Sequence, residues 1–206
     1  MCIRDRMYVV LGRPLAALTN ALNNWLGGMS GASAVILGIV LGLMMCSDLG
    51  GPINKAAYLF ATTNLAVTNV GSLKVMAAVM AAGMVPPLAM ALSTTLRPKL
   101  YQPAERENGT AAWLLGASFI SEGAIPFAAA DPLRVIPSMM VGGAITGALS
   151  MALGAASKAP HGGIFVFFAI DRVWAFILAI VVGTLVAALL VTALKASARR
   201  KAAAAA

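Results

Sequence analysis

Three long runs of the chain carry no charge: Val75–Leu96, Val135–Ser157 and Val173–Leu194, of 22, 23 and 22 residues. About 20 apolar residues in a helix cross a hydrocarbon core, so each run predicts a membrane-spanning helix. A further uncharged run, Pro14–Ser47, divides in two. In its first half and just before it, Leu11, Leu15, Leu18, Leu22 and Trp25 keep helical spacing, with Thr19, Asn20, Asn23 and Asn24 mostly on other sides. That pattern predicts an amphipathic helix over Gly12–Gly28, lying in the interface or sideways on a bundle. Pro14 suits its first turn, and Gly27-Gly28 stops it. The second half, Gly31–Ser47, predicts a short hydrophobic helix. Gly38 and Gly42 stand one turn apart in it and allow a neighbouring helix to approach closely. Gly143 and Gly147 repeat the device in the run that follows Val135.

The apolar pattern is broken where Gly and Pro sit beside polar side chains. "DLGGPINKAAY" (Asp48–Tyr58) interrupts it first, and a second, weak span holding Asn64 and Asn69 is expected to follow. Pro86-Pro87, inside Val75–Leu96, is expected to kink or break that helix. Asn108–Ser121 is uncharged but too short to cross, as is the piece after Glu122, so "SEGAIP" reads as the tip of a re-entrant hairpin. "KAPHGGIFVFF" (Lys158–Phe168) is another short apolar piece opened by Pro160, Gly162 and Gly163. Strands of a barrel would alternate polar and apolar residues, and the chain shows no such alternation. The expected fold is therefore an all-α integral membrane protein, a multi-span helical bundle with broken helices and a re-entrant hairpin. Broken helices at membrane depth are tolerated where they line a wet cavity, which in transporters is the substrate site.

Composition sharpens this. The chain is 60% hydrophobic and 11% charged, with a mean hydropathy of +0.88, whereas soluble domains carry about 25% charged residues. Its net charge of +8 sits at run edges, on Lys74, Arg97, Lys99, Arg134, Lys158, Arg172, Lys195 and Arg199-Arg200-Lys201. A nucleic-acid partner is not expected from that distribution; flanking cations orient helices. The basic end predicts a cytoplasmic C-terminus, and the loop Arg97–Asn108 falls on the same side. Cys2 and Cys46 have no metal-binding or redox spacing, and Cys46 reads as a small packing residue. "MCIRDR" resembles nothing after it, so residues 1–11 read as an artefact or fragment edge, 12–194 as the membrane domain and 195–206 as a basic, Ala-rich tail.

Three segments hold nearly all the polarity inside the apolar chain: Asp48, Asn54 and Lys55; Glu122, beside Ser121 and Gly123; and His161. An ionised group at bilayer depth costs at least ~2.5–3.5 kcal/mol. A carboxylate accepts hydrogen bonds from hydroxyls, Asn donates and accepts, and His does either. The mixture suits a neutral polyhydroxylated ligand. Each residue also has a plain structural reading: Glu122 as partner of Lys55 or Arg134, Lys55 reaching to the interface, His161 capping a helix, and Asp48 as the N-cap of the helix after it. One His and two separated Cys make no zinc or haem site, and no phosphate loop or dinucleotide fingerprint is present. Residue chemistry alone leaves open group translocation of a sugar, proton-coupled secondary transport with Glu122 as proton carrier, and a non-transporting scaffold.

"GGPINKAAY" (Gly50–Tyr58), "SFISEGAIPFAAADPLRVIP" (Ser118–Pro137) and "APHGGIF" (Ala159–Phe165), in that order, resemble the membrane subunit, enzyme IIC, of the fructose-type phosphoenolpyruvate-dependent sugar phosphotransferase system. The likeness runs from about Gly12 to about Leu194, and "SEGAIPF" is its most specific part. It implies that fructose or a related hexose binds in the membrane and moves with a transport domain against a dimerising scaffold. A cytoplasmic IIB phosphocysteine domain then phosphorylates it. The phosphoryl group comes from phosphoenolpyruvate through IIA and IIB, with no cofactor bound to this chain. Glu122 falls on the sugar-binding acidic motif, to hold a hydroxyl and help its proton leave. Asn54, Lys55, Ser121, Gly123 and His161 would line the same pocket. The resemblance also implies about ten membrane segments, a homodimer and a bacterial inner-membrane location. Fewer segments stand here, so the chain is expected to be the C-terminal, substrate-binding part of a larger protein.

Overall fold

A computed structural model describes residues 31–205, apart from 64 and 66–68. The amphipathic helix expected over Gly12–Gly28, together with Cys2 and Asn64, lies outside the described residues. The rest is almost wholly helical: α1 (Ala32–Ser47), α2 (Pro52–Thr63), α3 (Val70–Leu96), α4 (Pro103–Ala117), α5 (Ile125–Ala130), α6 (Pro132–Leu153) and α7 (Val173–Ala205). Three are long and apolar enough to cross a membrane: α3, α6 and α7 up to Arg200. They match the three charge-free runs. The second run extends to Ser157, but α6 stops at Leu153 because Gly154 takes a left-handed cap at φ 70°. Ser157 belongs instead to a two-residue antiparallel ladder, Ala156 opposite Asp171 and Ser157 opposite Ile170.

The central span is α3, 27 residues long, or about 40 Å at 1.5 Å per residue. Asn69 starts it, accepting from the backbone N–H groups of Gly71 and Ser72. Pro86-Pro87 does not break it: the helix runs through both residues to Leu96. Proline at 86 removes the N–H that would bond the Ala82 carbonyl. In the fold that carbonyl accepts instead from the Cys46 thiol, 3.4 Å away. Almost all of α3 around the prolines is buried, so tertiary packing holds straight-through helix where local propensity alone would stop it.

Around α3 the helices approach at glycines. Gly38 and Gly42 of α1 meet Gly147 and Gly143 of α6 in antiparallel register, where an added methyl would overlap the opposite backbone carbonyl. Gly142 meets Gly183 of α7, and Thr146 Oγ1 donates to the Ala179 carbonyl across that contact, at 3.2 Å. Small residues let backbones touch, which is how helices adhere where no hydrophobic force acts between them.

Two hairpins penetrate this frame from opposite ends. One is α4 and α5. Gly109 packs on Thr94 and Gly116 on Leu88, so α4 descends along α3 from the Leu96 end, and the Phe119 ring reaches Gly83, midway along α3. The chain then turns and returns, since Phe127 contacts Tyr101 edge to face. The other is α1 and α2. Matching Gly38 to Gly147 and Gly42 to Gly143 runs α1 inward from the Lys74 end, and Cys46 meets α3 at Ala82. Chain direction reverses at Asp48–Gly51, and α2 leads back to Asn69, where α3 begins. The tips therefore meet at mid-depth, each built around a non-glycine residue in left-handed conformation: Leu49 at φ 53° and Phe119 at φ 65°. Such backbone costs of order 1–3 kcal/mol and persists where surrounding structure fixes it. The weak second span expected after Tyr58 begins inside α2, which has 12 residues and ends at Thr63; residues 64 and 66–68 of that stretch lie outside the described residues.

Candidate functional site

The first tip is organised by Asp48. Its carboxylate accepts from the backbone N–H of Ile53 at 2.7 Å and of Asn54 at 3.0 Å, and so caps the first turn of α2. This fixes the direction of α2, on which Tyr58 stands one turn beyond both Asn54 (i, i+4) and Lys55 (i, i+3). Asn54 is buried and donates one amide hydrogen to the Met45 carbonyl at 2.7 Å, tying α2 to the end of α1.

The second tip is a 3₁₀ turn, Ser121–Ala124. Lys55 Nζ stands 2.9 Å from Glu122 Oε1. The bridge joins side chains 67 residues apart in sequence, one from each hairpin. Both are about half exposed, at 56% and 45%, and they face a shared space. Gly50 lies against the Glu122 side chain, where a larger residue would collide. Of the two partners considered for Glu122, the structure selects Lys55. Arg134 is taken by Asp131, whose two carboxylate oxygens both accept from Nη1 at 2.9 Å.

The loop between the two short strands closes the third side. Gly163, at φ 59°, packs against the backbone of Ala117–Phe119, leaving no room for a side chain. His161 thereby stands over the Phe119 ring with centroids 5.0 Å apart, and its ring meets Tyr58 edge-on at 6.4 Å. Among the described residues no helix is capped by the His161 side chain.

Together Asn54, Lys55, Tyr58, Phe119, Ser121, Glu122 and His161 line one cavity of about 70 Å³. Five of the residues singled out in the sequence thus converge from three separate segments. Gly123 does not line the cavity; it packs behind the tip against Leu115 and Pro87. Tyr58 and Phe119 were not singled out. Tyr58 has a visible signal, one turn after Asn54 on the same helix face; Phe119 reads as an ordinary apolar residue until its backbone is known. The arrangement presents one carboxylate, one ammonium, an amide, a hydroxyl and an imidazole beside two aromatic faces. It can hold hydroxyl groups by hydrogen bonds and ring C–H groups by stacking. Among the described residues no group of three or more His, Cys, Asp or Glu is placed to hold a metal ion.

Comparison with known proteins gives a uniform result. The chain is 53% identical over 192 residues to the PTS system fructose-specific EIIB'BC component of Escherichia coli strain K12, covering 92% of this chain and 34% of that protein. It is 48% identical over 190 residues to the PTS system fructose-specific EIIC component of Haloferax volcanii, covering 92% and 50%. It is 44% identical over 189 residues to the PTS system fructose-specific EIIABC component of Bacillus subtilis strain 168, covering 92% and 29%. The chain thus spans between about a third and a half of these relatives' lengths. No family profile matches it, and no solved structure does.

Proposed function

We propose, from the chain's membership of the fructose-specific enzyme IIC family, that it forms the sugar-binding part of a phosphotransferase-system permease and that its substrate is fructose or a close relative. The observation that carries this is the meeting of two opposed hairpin tips at mid-membrane, with Glu122 and Lys55 facing one polar, aromatic-walled cavity. Glu122 accepts a hydrogen bond from a sugar hydroxyl. Asn54, Ser121 and His161 hold further hydroxyls, and Phe119 and Tyr58 pack on the ring's apolar face. A IIB domain supplies a phosphocysteine. The sugar oxygen attacks phosphorus, the S–P bond breaks, the O–P bond forms and the hydroxyl proton passes to Glu122 or to water. The protein's part is positioning and charge placement, which is what such transfers need. Relatives named EIIB'BC and EIIABC carry their other parts in one chain with EIIC, which supports IIB and IIA as partners. A homodimer is part of the same proposal.

At about 70 Å³ the cavity is well below the ~300–1,000 Å³ of most small-molecule sites. A hexose therefore enters as the tips part, and the Lys55–Glu122 bridge is what parts. Orientation follows from charge: Arg97, Lys99, Arg106, Arg134, Lys195, Arg199 and Arg200 cluster at the Leu96 end, against Lys74, Lys158 and Arg172 at the other. Cytoplasmic loops carry the excess of Lys and Arg, so the Leu96 end and the end of α7 face the cytoplasm of a bacterial inner membrane.

The test is uptake of labelled fructose into membrane vesicles of defined orientation. They carry this chain in place of the matching part of the Escherichia coli relative, with the soluble phosphotransfer proteins. The expected result is fructose phosphate inside only when phosphoenolpyruvate is supplied. Accumulation of free fructose that a proton uncoupler abolishes would replace the proposal with secondary transport.

A further inference from the structure

A second cavity among the described residues, about 330 Å³, lies away from Glu122, at the Leu96 end between the start of α6 and the last turns of α7. Leu100, Asp131, Arg134, Lys195, Ala198 and Arg199 line it. The cations there are incompletely neutralised. Arg134 uses a single nitrogen on Asp131 and keeps the rest of its five N–H donors. Lys195 is held over the Tyr101 ring, 4.4 Å from its centre, and reaches Glu105 at 3.3 Å. Arg199 donates to the Lys99 carbonyl and has no carboxylate partner among the described residues. Tyr101 offers no negative charge, since burial pushes its phenol up to about 12. Its hydroxyl instead joins Ser93, at 2.5 Å, and through it Thr192, in a chain that ties the loop before α4 to this end of α3 and α7.

The cavity's place decides what it fits. It sits at the end of three spans, at the level of lipid headgroups. Below it, α7 presents the exposed Val181 and Leu185, about five and four turns before Arg199 and so on its face of the helix. Leu133, 85% exposed, flanks it on α6. Basic walls over an apolar stripe match a molecule with an anionic head and acyl tails. We infer that this cavity binds the headgroup phosphodiester of an anionic phospholipid, with Arg199 and Arg134 on the phosphate and the lipid's chains along α7. Basic pockets between helices on the cytoplasmic side recognise lipid headgroups by this chemistry. The inference rests on the membrane setting and does not depend on the sugar site.

The experiment is native mass spectrometry of the purified chain in neutral detergent, with phosphatidylglycerol or phosphatidylcholine added, for the unaltered protein, Arg199→Gln and Arg134→Gln. Circular dichroism checks that each variant keeps its helix content. The expected result is a retained phosphatidylglycerol adduct, reduced about fivefold by each substitution, with phosphatidylcholine weak and unaffected. Equal retention of the two lipids, or no change in Arg199→Gln and a folded Arg134→Gln, overturns it. Displacement of phosphatidylglycerol by millimolar inorganic phosphate assigns the cavity to a soluble phosphate and also overturns the lipid reading.

Discussion

Glu122 and Lys55 set up a separation between stability and activity. Their bridge is half exposed on both sides, and exposed ion pairs contribute about 0–1 kcal/mol. Glu122→Gln keeps the shape of the side chain and one acceptor oxygen. It should therefore leave thermal unfolding nearly unchanged in detergent. Hydrogen bonds to a charged group are worth about 1.5–3 kcal/mol, so phosphoenolpyruvate-driven fructose phosphorylation should fall by about ten- to a hundredfold. A variant that phosphorylates at the normal rate would remove Glu122 from the site. Lys55→Met is expected to act differently: a Lys55 freed by Glu122→Gln can extend its long stem toward water, whereas the shorter Glu122 left without its cation stays at bilayer depth. Combining it with Glu122→Gln should recover most of the lost stability and none of the activity. Both residues were visible in the sequence as charges inside apolar stretches. Their mutual contact was not, because nothing local joins positions 67 residues apart.

At the scale of elements, the spans were legible because absence of charge over a membrane's thickness admits few alternatives. The hairpin at "SEGAIP" was legible because a carboxylate, a glycine and a proline together forbid an ordinary span. Of the kink or break expected at Pro86-Pro87, the break does not occur, for a matching reason. Local rules count the lost N–H, but the Cys46 thiol that serves the Ala82 carbonyl comes from α1. This arrangement is testable by a double-mutant cycle. Cys46→Ala removes the donor; in Pro86→Ala, the backbone N–H returns to Ala82. Cys46→Ala should cost less in that background, by about 0.5 kcal/mol as the net worth of a weak hydrogen bond, read from unfolding in mixed micelles. Equal costs in both backgrounds would mean that Cys46 only fills space beside Gly143. The glycine contacts between α1 and α6 predict a larger effect. Gly147→Leu forces a side chain into the Gly38 backbone, and should destabilise by at least about 1–3 kcal/mol, with α1 released first to protease. Gly31→Ala, whose added methyl meets nothing within 4 Å, is the control for clash; its own cost is backbone strain at φ 59°.

For the whole molecule, the consequence of the fold is an inverted pair of hairpins, and their faces can be assigned experimentally. α1 and α2 enter from the end that holds Lys74, Lys158 and Arg172; α4 and α5 enter from the end that holds Lys99 and Arg199. On the proposed orientation the second end, with its surplus of Lys and Arg, is the cytoplasmic one. Single cysteines at exposed positions 99 and 158 read this directly in a background with Cys2 replaced by Ser, while Cys46 is fully buried and so shielded from reagent. In intact cells a membrane-impermeant maleimide should label Lys158→Cys and leave Lys99→Cys unlabelled. Inverted vesicles should reverse the pattern. If Lys99→Cys labels in intact cells, the molecule sits the other way. Glu122 would then be carried on the hairpin that enters from outside, and a cytoplasmic phosphocysteine would have to meet the sugar along α1 and α2 instead. Orientation thus decides which tip faces the phosphoryl donor. On the proposed function, with the basic end inside, the donor would meet the sugar along the α4–α5 hairpin, which carries Glu122, the carboxylate proposed to take the hydroxyl proton.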